Sequence, residues 1–194
     1  MINSKQDLRN YLKIELGNKY AFPYRLKFYV FPSTFSYLYF LRLTEYYTNN
    51  TGFFSSLKRN LYNRMLMIHG LLLGFTIPVN VCEEGLFVPH RGSIVINGSA
   101  HIGKNCCIQN NVNIGANGHN NIPTIGDNVY IGPGAVIFGR ITIADNSWIG
   151  ANAVVNKSIE HPNSIVAGVP AKFIRYSERV WWEDSETHRK NRTR

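Results

Sequence analysis

A repeat with a period of six residues runs through the middle of the chain. Aliphatic residues occupy ten positions at this spacing: Ile96, Ile102, Ile108 and Ile114, and, after a break, Ile125, Ile131, Ile137, Ile143, Ile149 and Val155. Each is followed four positions later by a small or β-branched residue, and the residues of tight turns lie between them. A helix would spread these isoleucines around its whole circumference. The repeat therefore predicts short parallel strands, with three hexads per coil and coils stacked around a column of isoleucine.

The repeat is interrupted once, between Ile114 and Ile125. These residues are eleven positions apart, where two hexads would need twelve. The simplest interpretation is one hexad plus a five-residue insertion. Residues 116–124 (ANGHNNIPT) are then expected to protrude as a loop from a corner of the coil, and this loop contains His119.

The chain divides into three regions around this repeat. Residues 1–75 mix aromatic and basic residues at helical spacing and predict an N-terminal helical unit, in which Pro23 and Pro32 separate helices. Residues 76–174 form the repeat domain, and residues 175–194 form a charged C-terminal tail. Five apolar residues are predicted to share one face of a helix that ends near Gly70 or Gly74: Leu57, Leu61, Met65, Ile68 and Leu72.

The positive charge is concentrated in the helical unit. Residues 1–75 carry ten Lys or Arg against three Asp or Glu, whereas residues 76–174 carry five of each and residues 175–194 carry six against four. Such an imbalance suits an anionic partner or a solvated basic surface. Nucleic acid is disfavoured because no motif that reads bases is present. Contact with an acidic membrane surface remains open.

The cysteines and the apolar stretches favour a cytoplasmic protein. Three cysteines are an odd number without framework spacing, which indicates a reducing compartment. The N-terminal residues lack the apolar block of a secretory signal. The richest apolar stretch, residues 26–43, is interrupted by polar residues and predicts no membrane span. The expected location is the cytoplasm, with the inner face of the membrane as a further option.

Three segments carry a resemblance to a known family. They are GLFVPHRGSIVINGSAHIG (85–103), the hexads of residues 125–155, and AGVPAK (167–172). Together they resemble the hexapeptide-repeat acyltransferases and, within that group, the serine O-acetyltransferases. The resemblance implies a mainly β fold, a left-handed parallel β-helix with an N-terminal α-helical unit. It also implies homotrimers, with acetyl-coenzyme A as co-substrate bound between neighbouring prisms.

The resemblance places the catalytic base at His90. Counting back by six from Ile96 lands on this residue, which predicts that the imidazole occupies an aliphatic register where the coil begins. In the family, the matching histidine removes a proton from an acceptor hydroxyl, which attacks the thioester directly. Imidazole can accept and release a proton near neutral pH, so it suits general-base catalysis. A structural role for a core histidine is the alternative.

The sequence departs from the serine-specific pattern at two places. Pro89 stands where the family has an aspartate, and the loop has Ile122 before Pro123 where the family has a second histidine followed by proline and a basic residue. His119 is a candidate for that second histidine, at a different offset. These losses leave two acceptors open, namely serine and a sugar hydroxyl of a capsule or cell-surface glycan precursor.

The resemblance implies that the coenzyme contacts the later coils and the terminal segment. Small residues where a pantetheine arm could approach the backbone, and cations for its phosphates, are the candidates. They are Gly132, Ala135, Gly150, Ala151, Lys157, Lys172 and Arg175. Turn geometry and solvation are the respective alternatives for these glycines and lysines.

Two other classes of function fit the predicted fold. One is a noncatalytic scaffold, because a fold alone does not dictate chemistry. The other is a zinc-dependent hydration enzyme, but the spacing of His90, His101 and His119 does not reproduce the ligand set of that class, and no metal is expected. A covalent acetyl-cysteine route is disfavoured, since Cys106 is predicted to point inward and Cys107 outward without basic neighbours.

Overall fold

The N-terminal region is helical in the computed structural model, which describes residues 1–118 and 120–181, apart from the side chain of Phe53. Its elements are α1 (Lys5–Leu16), a 3-10 turn (Gly17–Tyr20), α2 (Tyr24–Lys27), α3 (Thr34–Asn49) and α4 (Phe53–Leu73). Capping boxes at Ser4 and Ser33 start α1 and α3. Pro23 and Pro32 precede α2 and α3, and Gly74, with φ of 82°, ends α4. The separating prolines and the glycine terminus are therefore confirmed.

The repeat region folds into a prism of three sheets. Its strands are β1 (Phe75–Thr76), β2 (Ile94–Ile96), β3 (His101–Ile102), β4 (Cys107–Ile108), β5 (Val112–Gly115), β6 (Thr124–Ile125), β7 (Tyr130–Ile131), β8 (Val136–Phe138), β9 (Thr142–Ile143), β10 (Trp148–Ile149), β11 (Val154–Val155), β12 (Ser164–Ala167) and β13 (Lys172–Tyr176). We call β1-β2-β5-β8-β11 sheet A, β3-β6-β9 sheet B, and β4-β7-β10-β12-β13 sheet C. Every strand pairing is parallel except that of β12 with β13. This is a parallel β-helix.

The ten aliphatic positions of the hexad repeat form the core of the prism. Each exposes 2% or less of its surface. They stack coil on coil, as when Ile114 pairs with Ile96 below and Ile137 above. The residues four positions later are buried too, except Gly118, which lies in the inserted loop. The predicted aliphatic column is confirmed.

The insertion leaves the stacking intact. His101 pairs with Thr124, and Thr124 pairs with Thr142. The first pair is 23 residues apart and the second 18, so the coil that holds the loop has five extra residues. The extra residues lie between β5 and β6, and the loop prediction is confirmed for the described residues around His119.

The apolar face of α4 that was predicted from spacing points away from the protein. Leu57, Leu61, Ile68 and Leu72 share it, with exposure from 50% at Ile68 to 65% at Leu57. Met65, the fifth predicted member, is partly buried against the core. The packed face instead carries Leu66, His69, Gly70 and Leu73. At Gly70 a Cβ would come within 2.8 Å of the Phe75 carbonyl oxygen, so only glycine permits this approach. Close packing around a glycine, rather than apolar periodicity, decides which side of α4 is buried.

A buried ionic cluster joins the helical unit to the first coil. The Arg42 guanidinium lies 2.7 Å from Glu15 and 2.8 Å from Glu45, and none of the three side chains exposes more than 1%. Arg42 also donates to the carbonyl oxygens of Cys82 (2.8 Å) and Glu83 (2.9 Å). Burial raises the pKa of Glu15, against the opposing attraction of Arg42. The cluster therefore pins the chain just before Leu86, whose N–H donates to Glu15.

Among the described residues, no helix combines the length and the apolar content needed to cross a bilayer.

Candidate active site

His90 lies outside the aliphatic column. Phe87 bridges to Cys107, and the Ile108 N–H donates to the Phe87 carbonyl oxygen, so the inward position opposite Ile108 belongs to Val88. Val88 is 2% exposed, whereas His90 is exposed. The predicted aliphatic register of His90 is wrong. Eight residues, rather than six, separate the inward Val88 from Ile96, and the extra two place the imidazole on an outer corner.

This corner continues as one edge of the prism, between sheets C and A. In the following coils, backbone hydrogen bonds stack the residues that come directly after sheet C. The N–H of Gln109 donates to the Ile131 carbonyl oxygen, the N–H of Gly132 to the Ile149 carbonyl oxygen, and the N–H of Gly150 to the Val166 carbonyl oxygen. We call this line the His90 edge. It contains residues 89–92, 109–111, 132–134, 150–152 and 167–168. With strands about 4.8 Å apart, its four coil steps span about 19 Å.

Three of the four small residues that are predicted to contact the coenzyme lie on the His90 edge. A Cβ at Gly132 would meet the Ile149 carbonyl oxygen at 2.7 Å, and one at Gly150 would meet the Ala167 Cβ at 2.8 Å. Stacking alone therefore requires glycine at both positions. Ala151 is exposed on the same edge. Ala135 is fully buried in the column, so its side chain packs in the core and cannot line an external groove.

The three basic residues that are predicted to bind the coenzyme phosphates lie at different places on the prism. Lys172 pairs with Ala167 across β12 and β13, which places it at the far end of the His90 edge. Lys157 instead lines a cavity of about 470 Å³ at the last coil, together with His161, Phe173 and Tyr176. Arg175 pairs with Ile165 on sheet C. Of the three, Lys172 alone shares the edge with His90.

The loop with His119 lies at another corner. It connects β5 of sheet A to β6 of sheet B, and Asn117 and Asn121 close it through backbone and side-chain hydrogen bonds of 3.0 and 2.7 Å. His119 itself lies outside the described residues. Because His90 precedes sheet A and the loop follows it, the width of that sheet separates them within one chain.

The surroundings of His90 include residues that sequence analysis missed. Arg91 donates to the Pro32 carbonyl oxygen at 3.0 Å, and a cavity of about 400 Å³ is lined by Phe31, Pro32, Leu72 and Arg91. Gln109 and Asn110 follow Ile108 as Gly132 follows Ile131, so counting hexads from Ile108 would have found them.

The acids near His90 in sequence have other partners. Glu83 accepts from the Tyr11 hydroxyl at 2.8 Å and from the N-terminal amine, and Glu84 lies 3.1 Å from the Lys104 ammonium. Both carboxylates therefore bind groups other than the His90 imidazole.

The three thiols are buried and are expected to resist modification. Cys106 points inward, as predicted, with its thiol 3.2 Å from the Gly126 carbonyl, and burial raises its pKa to about 12. Cys107 lies on the outer side of sheet C but is buried all the same. Burial also raises the pKa of Cys82.

Since the thiolate is the reactive species, native protein should react with a disulfide reagent at fewer than one site per chain, and denatured protein should react at all three cysteines. Rapid native labelling would contradict the burial.

Comparison with known proteins identifies the repeat. Residues 123–157 match the family described as "Bacterial transferase hexapeptide (six repeats)". The match identifies the repeat of these residues as a hexapeptide repeat of the bacterial transferase type. Over 112 residues it is 38% identical to the serine acetyltransferase of Mycobacterium tuberculosis, covering 56% of this chain and 48% of that protein. The chain spans about half or less of the length of the curated relatives that it matches.

Solved structures of serine acetyltransferases share the fold of this hexapeptide-repeat chain. The Brucella abortus protein has a TM-score of 0.65 at 25% identity, and the match covers 89% of this chain and 69% of the Brucella chain. The Neisseria gonorrhoeae protein in complex with serine has a TM-score of 0.60 at 27% identity and matches 88% and 68%. The left-handed parallel β-helix with N-terminal helices, predicted from the sequence, is confirmed by these relatives.

Proposed function

We propose that this chain is an O-acetyltransferase that uses acetyl-coenzyme A. The observation that carries the proposal is the exposed His90 at the head of an edge that ends at Lys172. His90 would remove the proton of an acceptor hydroxyl as it attacks the thioester carbonyl. The acyl group passes to the hydroxyl oxygen, and the coenzyme leaves as its thiol.

The His90 edge supports binding of the coenzyme along its length. Ala151 is exposed with only a methyl group and Gly150 is partly exposed beside it, so an extended ligand could lie against the backbone there. Gly132 is buried on the same edge, and its candidacy rests on the family resemblance. The Lys172 ammonium at the far end is suited to a phosphate. Lys157 and Arg175 remain candidates from sequence, at a distance from this line.

Serine is the first candidate acceptor, because the relatives named above are serine acetyltransferases. A sugar hydroxyl of a glycan precursor is the second. Pro89 and the altered loop favour it, because the charged groups expected for an amino acid are missing. The cavity beside Arg91 that is lined by Phe31 and Leu72 also favours an acceptor with an apolar portion.

A cyclic homotrimer would complete the site. His90 and the loop of residues 116–124 lie at opposite sides of sheet A, so a neighbouring copy could bring its loop, with His119, to the His90 edge. A cytoplasmic location suits the reduced state of the three cysteines. Contact with the inner face of a membrane is part of the same proposal.

An acceptor panel tests the function. Purified protein is incubated with acetyl-coenzyme A and, in turn, serine, other amino acids, nucleotide-linked sugars and lipid-linked sugars, and free thiol is followed. Acceptor-dependent thiol release is expected with one class, and serine or sugar turnover decides between the two candidates. Failure to bind coenzyme A in calorimetry would contradict the proposal and favour a noncatalytic scaffold.

A further inference from the structure

The outer face of α4 is an apolar stripe on the protein surface. It consists of Leu57, Leu61, Ile68, Leu71 and Leu72, each at least half exposed. These residues recur at helical spacing on the side opposite Leu66, His69 and Leu73, which pack into the protein. Apolar side chains scattered singly on a surface need no explanation, but a continuous stripe along a 21-residue helix does.

The stripe continues into the segment before α3. Phe31 and Leu72 line the same cavity, and Val30 and Phe31 are about two-thirds exposed. Nε2 of His69 lies 3.0 Å from the Phe28 carbonyl oxygen, within hydrogen-bond distance, which holds this segment beside the C-terminal half of α4. Helix and segment therefore present one apolar surface.

Basic residues surround this surface, and acidic residues are missing from it. Arg64 lies within the stripe and Lys58 lies beside it, whereas Arg59 lies on the other side of α4. Residues 46–82 contain no Asp or Glu. Two of the three acids of residues 1–75, Glu15 and Glu45, are buried against Arg42. Within the described part of the chain, none of the three α4 cations forms an ion pair. This excess of positive charge on α4 favours an anionic partner.

The stripe leads to the candidate active site. Its last residues, Leu71 and Leu72, precede Gly74, where a Cβ would lie 3.2 Å from the Gly92 carbonyl carbon. Arg91, next to His90, lines the cavity shared with Phe31 and Leu72. A surface that engaged the stripe would therefore also lie against the corner that carries His90.

We propose that the outer face of α4, with residues 29–32, docks on an anionic lipid bilayer and holds the His90 corner at the membrane surface. Exposed apolar side chains enter the interface while lysines and arginines meet acidic headgroups. Arg64, within the stripe, is long enough to carry its charge to headgroup level. The docking stands on this surface alone. Its consequence, that the acceptor hydroxyl belongs to a membrane-anchored molecule, rests on the proposed function.

A second copy paired through this face by a two-fold axis suits it less well. Pairing α4 with α4 would bring Lys58 and Arg64 of both copies together without an acidic partner on the helix. Like charges brought together in an interface are unfavourable. A bilayer that contains acidic lipid supplies the missing negative charge.

Co-sedimentation with vesicles tests the docking. The full chain, without acetyl-coenzyme A, is mixed with vesicles of phosphatidylcholine alone or of phosphatidylcholine with phosphatidylglycerol. We expect the protein to sediment with the acidic vesicles only and to be released by high salt. Leu57→Gln with Leu61→Gln, and separately Lys58→Gln with Arg64→Gln, should each lower the partition coefficient about tenfold or more.

A charge-matched control and a mass measurement complete the test. Lys5→Gln with Arg9→Gln removes the same charge from α1 and should change binding less than about twofold. Circular dichroism establishes that each variant is folded. Equal binding to both vesicle types, no binding, or equal losses in the α1 and α4 charge variants would overturn the proposal. So would a leucine variant that lowers the oligomer mass in sedimentation velocity while vesicle binding persists. Vesicle binding is measured without the coenzyme, so its outcome is separate from that of the acceptor panel.

Discussion

Replacement of His90 by alanine is expected to lower acetyl transfer about 10²- to 10⁴-fold, the usual contribution of a general base. The loss should appear in kcat with the correct acceptor, because the base acts in the transition state. His90 is exposed on an outer corner and is not part of the aliphatic column, so the variant should fold normally. Thiol release from acetyl-coenzyme A, followed in the presence of the acceptor, measures the effect.

His101 provides the matched control. It is also an exposed histidine, but it lies on sheet B, away from the His90 edge. His101→Ala should retain acetyl transfer to within about twofold, since surface substitutions away from a site change little. If His90→Ala kept a near wild-type rate while its thermal unfolding was unchanged, another group would have to be the base.

Removal of Arg42 is expected to give the largest loss of stability, about 3–5 kcal/mol for Arg42→Ala. The substitution leaves Glu15 and Glu45 buried without a cation and leaves the Cys82 and Glu83 carbonyl oxygens without their donor. Urea unfolding with an unchanged m-value measures the loss. Arg59→Ala, which removes an exposed arginine from α4, should stay within about 0.5 kcal/mol of wild type.

The loss caused by Arg42→Ala should depend on pH. Without Arg42 the pKa of Glu15 rises further above its ordinary value of 4.5, because burial is no longer opposed. A carboxyl whose folded pKa is raised stabilises the fold below its unfolded pKa, and this stability is lost as the pH rises through the folded value. The penalty should therefore be smaller near pH 4 than near pH 7, and a penalty that grows toward acid pH would contradict the account.

The repeat made most of the fold predictable from sequence. Ten aliphatic positions at a spacing of six indicated the column, and the eleven-residue step to Ile125 located the inserted loop. Both follow from periodicity, which depends only on residues that are close together in the sequence. The three regions of the chain also came from such local patterns, whereas the candidate site residues came from the family resemblance.

Features that depend on distant contacts escaped prediction. The first coil has two residues more than a hexad between Val88 and Ile96, so periodic counting misplaced His90. The stripe of α4 was recognised, but its direction was set by the approach of Gly70 to Phe75. The cluster of Arg42, Glu15 and Glu45 joins residues from two helices, which no sequence period records. The handedness of the β-helix came from family resemblance.

The antiparallel strand β13 bears on how the prism ends. A stack of parallel coils exposes an unpaired strand edge at its last turn, and such an edge can template the addition of another molecule. β13 covers the edge of β12 in the reverse direction, so sheet C offers no parallel register to an incoming coil. On sheet C, the reversal therefore removes the parallel strand edge to which a coil of another molecule could add.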